Sequence, residues 1–176
     1  MQKIQKPLVW EFTPYAFEYV RLVPDDGLVL EHLQHNLQAL KELVGALSEE
    51  KLCTPCAEGE WTIKEILVHV TDTERIFVYR ALRFARNDAT PLLGFEQDGY
   101  VAASGANERD LEDILAELST VRAATIALFN SLTEEALDRS GLSGGNKLSV
   151  RSALYIIAGH ELHHVKSIKE NYLGFS

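Results

Sequence analysis

Three of the six histidines stand in one short run, His160-Glu161-Leu162-His163-His164. His160 and His164 are spaced i, i+4, so on a helix both rings leave one side and can grip a single metal ion. The i, i+3 pair His160 and His163 competes, and the rotation of 100° per residue separates the two choices. Measured from Leu154, within an apolar stripe of Val150, Leu154, Ile157, Val165 and Ile168, His164 lies at about −80° and His160 at about −120°. His163 lies at about 180° and faces away. His69 offers a third ligand: relative to Val70, in the stripe of an earlier helix, it lies at about −100°, again on a shoulder. Neighbouring helices of a bundle can bring such shoulders into one cleft. Three neutral imidazoles would leave at least one coordination position for water or substrate, which favours catalysis over a structural role. A metal there would lower the pKa of bound water, or bind and activate a thiolate or a carbonyl. His32, His35 and His163, taken singly, read as ordinary helix histidines with solvent or hydrogen-bond partners.

The same run satisfies H-E-x-x-H, the zinc-protease pattern, with Glu161 as base. Twelve residues follow His164, with Glu170 as their one carboxylate side chain and no further histidine, so a suitable third ligand after the motif is lacking. Glu161 has a second peculiarity. It lies at about −20° from Leu154, inside the apolar stripe. Glu74 falls in the corresponding stripe of the second helix and Arg122 in that of the third. Buried charges are costly unless paired, so Glu74, Arg122 and Glu161 are expected to meet in the interior; a wide solvated groove is the bland alternative. Cys53-Thr54-Pro55-Cys56 matches C-x-x-C but opens no strand–helix unit, and two thiolates do not make a zinc knuckle. Reduced, inert cysteines in a connecting turn are expected.

Four segments with helical periodicity must position these groups, over about residues 28–47, 62–86, 108–132 and 149–172. The second opens on a capping box between Thr62 and Glu65. Asn107 is the cap candidate for the third and Ser149 for the fourth. Single helical turns are expected at 48–52 and 133–137, and no stretch alternates with period two for long enough to read as a strand. The resulting fold class is all-α, an antiparallel-type four-helix bundle over 28–172, with or without long crossovers. An irregular strap, 1–27, precedes it, and a long link, 87–107, joins the second and third helices. Gly141 to Lys147 reads as a turn rather than a phosphate cradle. With 176 residues, one domain over 1–176 is expected.

Composition narrows the partners. The chain is 46% apolar and 24% charged, with a formal charge of −9 and no basic block. That disfavours nucleic acid, which needs a basic stripe, and an anionic membrane surface. No apolar run approaches the roughly 18 residues of a membrane span, and Pro7, Glu11 and Pro14 interrupt any signal-peptide stretch. A cytoplasmic location follows as the expectation, consistent with free thiols.

Several of these residues together resemble the DinB-like superfamily of bacterial four-helix proteins, near its YfiT-type proposed metal-dependent hydrolases. Pro14-Tyr15 with Tyr19, Glu60-Trp61-Thr62-Ile63-Lys64-Glu65-Ile66 leading to His69, Asp72-Thr73-Glu74-Arg75, Tyr79-Arg80-Ala81-Leu82 and Gly159 to His164 carry the resemblance. It implies one divalent ion, zinc or nickel, on His69, His160 and His164, and a homodimer. Some members are similar to thiol S-transferases and others to mycothiol-dependent isomerases. The first functional expectation is therefore a metal-dependent enzyme acting on a small molecule, transferring a low-molecular-weight thiol to an electrophile. The second is hydrolysis by metal-bound hydroxide, with Asp72 or Glu161 as proton acceptor. A non-enzymatic metal- or ligand-binding module is the third. Tyr79, Arg80, Gln97 and Asp98 are the candidates for a substrate pocket.

Overall fold

The computed structural model describes residues 1–88 and 90–175. The N-terminal strap is less irregular than its prolines suggest: a 3-10 turn, Pro14–Ala16, runs into a short helix, α1 (Phe17–Val20). There follow α2 (Val29–Gly45), α3 (Glu49–Cys53), α4 (Ile63–Ala85), α5 (Gln97–Ala103), α6 (Leu111–Asn130) and α7 (Glu134–Asp138). Two short strands, β1 (Ser140–Ser143) and β2 (Asn146–Ser149), lead into α8 (Val150–Ser167), which ends in a π-type turn, Ile168–Tyr172.

The helix starts follow local chemistry. Thr62 accepts from the Glu65 backbone N–H at 3.1 Å and Glu65 Oε2 accepts from the Thr62 N–H at 2.7 Å, closing the capping box on α4. Ser149 caps α8 by accepting from the Ser152 N–H at 3.1 Å. Asn107 does not cap the third long helix, which begins four residues later at Leu111. Its side chain bonds instead to Thr62 Oγ1 (2.7 Å) and Glu65 Oε1 (3.2 Å), tethering the end of the 87–107 link to the start of α4.

Two connections differ from expectation. The 87–107 link is partly ordered as α5, whose first turn is capped by the Glu96 carboxylate. The 141–147 segment is the tip of an antiparallel hairpin with Ser140 opposite Ser149 and Ser143 opposite Asn146. Its four-residue strands are too short to show alternation. Gly144 and Gly145, at φ +56° and +78°, supply the two left-handed residues of a tight two-residue hairpin turn. Gly141 is needed for packing, because a Cβ there would lie 2.2 Å from the Phe84 ring.

The bundle's connectivity is not a simple up-down sequence. α4 packs chiefly against α8 and α6, and α2 against α6 and α8, so consecutive long helices α2 and α4 lie across the bundle from each other. One apolar cluster joins the start of α2 and α8 to the ends of α4 and α6, through Leu30, Leu33, Phe77, Phe84, Phe129 and Leu154. A second joins the opposite ends, through Leu40, Val44, Ile63, Leu67, Ile114, Leu118 and Ile168. α2 and α8 therefore run one way, α4 and α6 the other. Between the two clusters lies a buried polar layer that includes Glu74, Arg122, His160 and Glu161. None of the described helices is long and apolar enough to cross a membrane.

Candidate metal centre

The antiparallel pair α4 and α8 brings three rings to one point. His69 stands two turns into α4, and its Nε2 lies 3.0 Å from His160 Nε2. His164, one turn further along α8, places its Nε2 3.1 Å from the same atom. One ligand atom from each of the three lies within 4.8 Å of the others, and among the described residues no cysteine or carboxylate joins them. An ion with metal–nitrogen distances near 2.05 Å holds neighbouring donors about 2.9–3.4 Å apart, so the spacing suits coordination.

Electrostatics suit it too. Burial lowers the pKa of His69 to about 4, and burial aided by the neighbouring imidazoles lowers that of His164 to about 3. His160, the most enclosed, is pushed well below the ordinary value by burial and by the other three histidines around it. All three are neutral at pH 7, the form that ligates a metal. Three inward imidazole nitrogens, with no carboxylate or thiolate of the described residues beside them, form a donor set that fits a divalent transition-metal ion.

Neighbouring aromatics hold the rings in place. Trp61 packs on His69 at 4.8 Å between ring centroids and lies near-parallel to His164 at 6.5 Å. It precedes the Thr62 cap, and its carbonyl accepts the Tyr172 hydroxyl from the π-type turn. Tyr19 meets His160 and His163 edge-on, each at 5.4 Å. That approach requires Gly159: a Cβ at this position would sit 2.0 Å from the Tyr19 carbonyl oxygen. Side-chain spacing alone does not mark Trp61 or Tyr19 as site residues. For Trp61 the available signal was an aromatic residue just before a capping box, where it can pair with Ile66 as a hydrophobic staple.

A cleft of about 320 Å³ opens beside His164, walled by Trp61, Asp98, His163, Ser167, Asn171 and Tyr172, with Cys56 and Glu60 also lining it. His163 supplies no ligand atom to the triad; its ring lies 5.2 Å from that of His164 and is exposed on this rim. Cys53 and Cys56 are free thiols; Cys53 donates to Glu49, and burial together with that carboxylate raises its pKa.

The buried charges meet as a triad. Arg122 Nε and Nη2 bond Glu74 at 2.9–3.2 Å, while Nη2 and Nη1 bond Glu161 at 3.0 and 3.2 Å. Arg122 Nη1 also donates to the Leu33 carbonyl, so α2, α4, α6 and α8 converge on one guanidinium. Glu161, the proton-acceptor candidate, is 0% exposed, and both of its oxygens are held by Arg122. Asp72 is also engaged elsewhere. It accepts from Arg75 at 3.3 Å, and Arg75 in turn pairs with Glu117 of α6 at 2.6 Å, away from α8.

The four pocket candidates divide. Asp98 lines the histidine cleft, whereas Gln97 is exposed at the first position of α5. Tyr79 and Arg80 line a different cleft with Leu93, Phe95 and Tyr100. The separation follows from helix rise, since Arg80 stands eleven residues beyond His69, about 16 Å along α4.

A four-helix bundle with an inward histidine triad across α4 and α8 defines the class. The sequence profile of the DinB superfamily matches residues 32–168, and the chain belongs to that superfamily. It is 30% identical over 142 residues to a proposed metal-dependent hydrolase of Oceanobacillus iheyensis, covering 80% of this chain and 81% of the relative. It is 23% identical over 134 residues to YfiT of Bacillus subtilis, also named as a proposed metal-dependent hydrolase, covering 74% and 75% of the two chains. The solved structure of YfiT, described as an unusual four-helix bundle, superposes with a TM-score of 0.73 at 20% identity over 99% of this chain and 95% of that one. A mycothiol-dependent maleylpyruvate isomerase shares the fold with a TM-score of 0.68 at 12% identity, over 89% of this chain and 63% of the isomerase.

Proposed function

We propose that this protein is a divalent-metal-dependent enzyme acting on a small molecule, with zinc or nickel on His69, His160 and His164. The observation that carries the reading is the triad itself: three neutral imidazole nitrogens, spaced for one ion, beside a cleft of about 320 Å³. That volume lies in the range of small-ligand pockets. When bound, the ion would supply Lewis acidity that lowers the pKa of a coordinated thiol or water.

Transfer of a low-molecular-weight thiol to an electrophile is the first reading. A thiol with a free pKa near about 8.5 needs little help to become a nucleophile at neutral pH. Water needs a proton acceptor in place, and the two carboxylates nearest the triad in sequence, buried Glu161 and half-buried Asp72, are bonded to Arg122 and Arg75. This chain's own residues would orient the substrate: Trp61 offers an aromatic wall, and Ser167 and Asn171 offer polar groups. Hydrolysis is the second reading, favoured by the names of the relatives and by Asp98 on the cleft wall.

The test begins with metal content by mass spectrometry, on protein purified without a nickel column, for the wild type and His164→Ala. One equivalent in the wild type, lost in a folded variant, supports the centre. The loaded protein is then given a low-molecular-weight thiol with 1-chloro-2,4-dinitrobenzene, and separately a panel of esters and amides without thiol. Stoichiometric loss of thiol and electrophile supports transfer, thiol-independent turnover supports hydrolysis, and neither activity leaves a binding module.

A further inference from the structure

Three lysine and arginine side chains are buried among the described residues: Lys64, Arg80 and Arg122. Arg122 has Glu74 and Glu161, and Lys64 has Glu49. Arg80 has no carboxylate among the described residues, although it is only 7% exposed. Its one hydrogen bond runs from Nη2 to the Leu93 carbonyl at a long 3.3 Å. The guanidinium lies over the Phe77 ring at 5.0 Å and near the Phe95 ring at 5.7 Å. Two aromatic faces thus cover the cation while leaving most of its in-plane N–H donors unused. The next arginine along the helix face, Arg83, is satisfied by Asp88 and Tyr79.

A guanidinium largely withdrawn from water, with solvent reaching it only through the cleft and no carboxylate beside it, is costly, and burial accordingly pulls the Arg80 pKa below its ordinary value. The donors that remain open face a cleft of about 400 Å³. Ile76, Tyr79, Leu93, Phe95 and Tyr100 supply its walls, and no acidic side chain stands among its described lining residues. A planar fork of donors at the end of an aromatic, apolar slot recognises a carboxylate or phosphate through paired hydrogen bonds, and the slot accepts a flat apolar body. The chain's net charge of −9 makes this a local exception rather than a general attraction for anions.

We propose that Arg80 and the cleft between α4 and the 91–100 segment form a second small-molecule site. It takes a ligand with an anionic oxygen group on an aromatic or apolar body. The site lies on the other side of α5 from the histidine cleft: Asp98 lines one cleft and Tyr100 the other. The contrasting reading is that Arg80 merely fills space with its stem, its charge being screened by water.

The experiment is a ¹H–¹⁵N NMR titration of the metal-loaded protein with benzoate, phenyl phosphate and neutral benzamide. Saturable shifts are expected for benzoate or phenyl phosphate at the amides of Leu93, Gly94, Phe95 and Tyr100 and at Arg80 Nε, with no saturation by benzamide. The better-bound anion identifies the preferred group. Arg80→Gln should weaken the binding about tenfold or more, the cost of one charge-assisted pair of hydrogen bonds. Leu93→Glu, at a position 90% exposed and hence harmless to folding, should weaken it by setting a carboxylate at the mouth. Absence of saturable shifts with both anions overturns the proposal. So do equal binding of benzamide and unchanged affinity in both variants. The histidine triad takes no part in this readout, so the outcome is independent of the metal centre.

Discussion

Arg122 Nη2 lies 2.9 Å from Glu74 Oε2 and 3.0 Å from Glu161 Oε1, so a single guanidinium on α6 ties α4 to α8 one residue away from His160. The two helices that carry the histidines are therefore pinned to each other by a three-member charge network as well as by apolar packing. All three side chains are at most 1% exposed. Removing the cation alone leaves two carboxylates buried without compensation.

Arg122→Met is accordingly expected to destabilise the fold by about 3–5 kcal/mol, the cost typical of breaking a buried ion pair from one side. Replacing Arg122, Glu74 and Glu161 together with apolar residues of similar volume should cost much less. Urea denaturation of both variants checks this; a single substitution no worse than the triple one contradicts it.

His69→Ala and His164→Ala are each expected to leave helix content unchanged and to abolish stoichiometric zinc or nickel binding. Two imidazoles remain in each case, too few to hold an ion against competing chelators. Circular dichroism with metal content by mass spectrometry reads both outcomes. Retention of one full equivalent in either variant rules out that histidine as a ligand.

The metal-free protein should lose stability as pH falls below about 6.5. His69 has its pKa lowered from 6.5 to about 4 in the fold, and His164 from 6.5 to about 3. Below 6.5 the unfolded chain takes up protons that the folded chain refuses, so the free energy of unfolding falls on acidification. The contribution is fully present above 6.5 and drains away toward the folded values. Thermal melts of metal-free wild type and His164→Ala between pH 7.5 and 4.5 test this, the variant showing the shallower slope.

Gly159→Ala places a Cβ 2.0 Å from the Tyr19 carbonyl oxygen, against backbone that cannot swing aside. A loss of about 1–3 kcal/mol is expected, as for other overpacked sites. α1 should also lift from α8 and take the Tyr19 ring off His160. Intrinsic tyrosine fluorescence and metal affinity should both change; a normal melt with normal metal binding contradicts the tight approach.

How much of this is readable without coordinates depends on range. The i, i+4 geometry of His160 and His164 is a property of one helix, since a fixed rotation per residue sets which side chains share a side. The Thr62–Glu65 capping box is likewise local, confined to one turn. The anomaly of Glu74, Arg122 and Glu161 shows in the periodicity of three helices, because charges inside apolar stripes demand partners. The short strands of the hairpin and α5 leave no such trace, for the complementary reason: four to seven residues give periodicity too little length to declare itself.

The chain by itself thus determined which faces of its helices are apolar, where two histidines project together, and which charges must be buried. Tertiary structure decided the partners. It set α4 against α8 rather than α2, brought His69 to His160 across the interface, and drew both Glu161 oxygens onto Arg122. It also parted Tyr79 and Arg80 from the histidine cleft. The reason is physical: side-chain direction follows from backbone geometry one turn at a time, whereas helix neighbours follow from how the whole set of apolar faces can be buried at once.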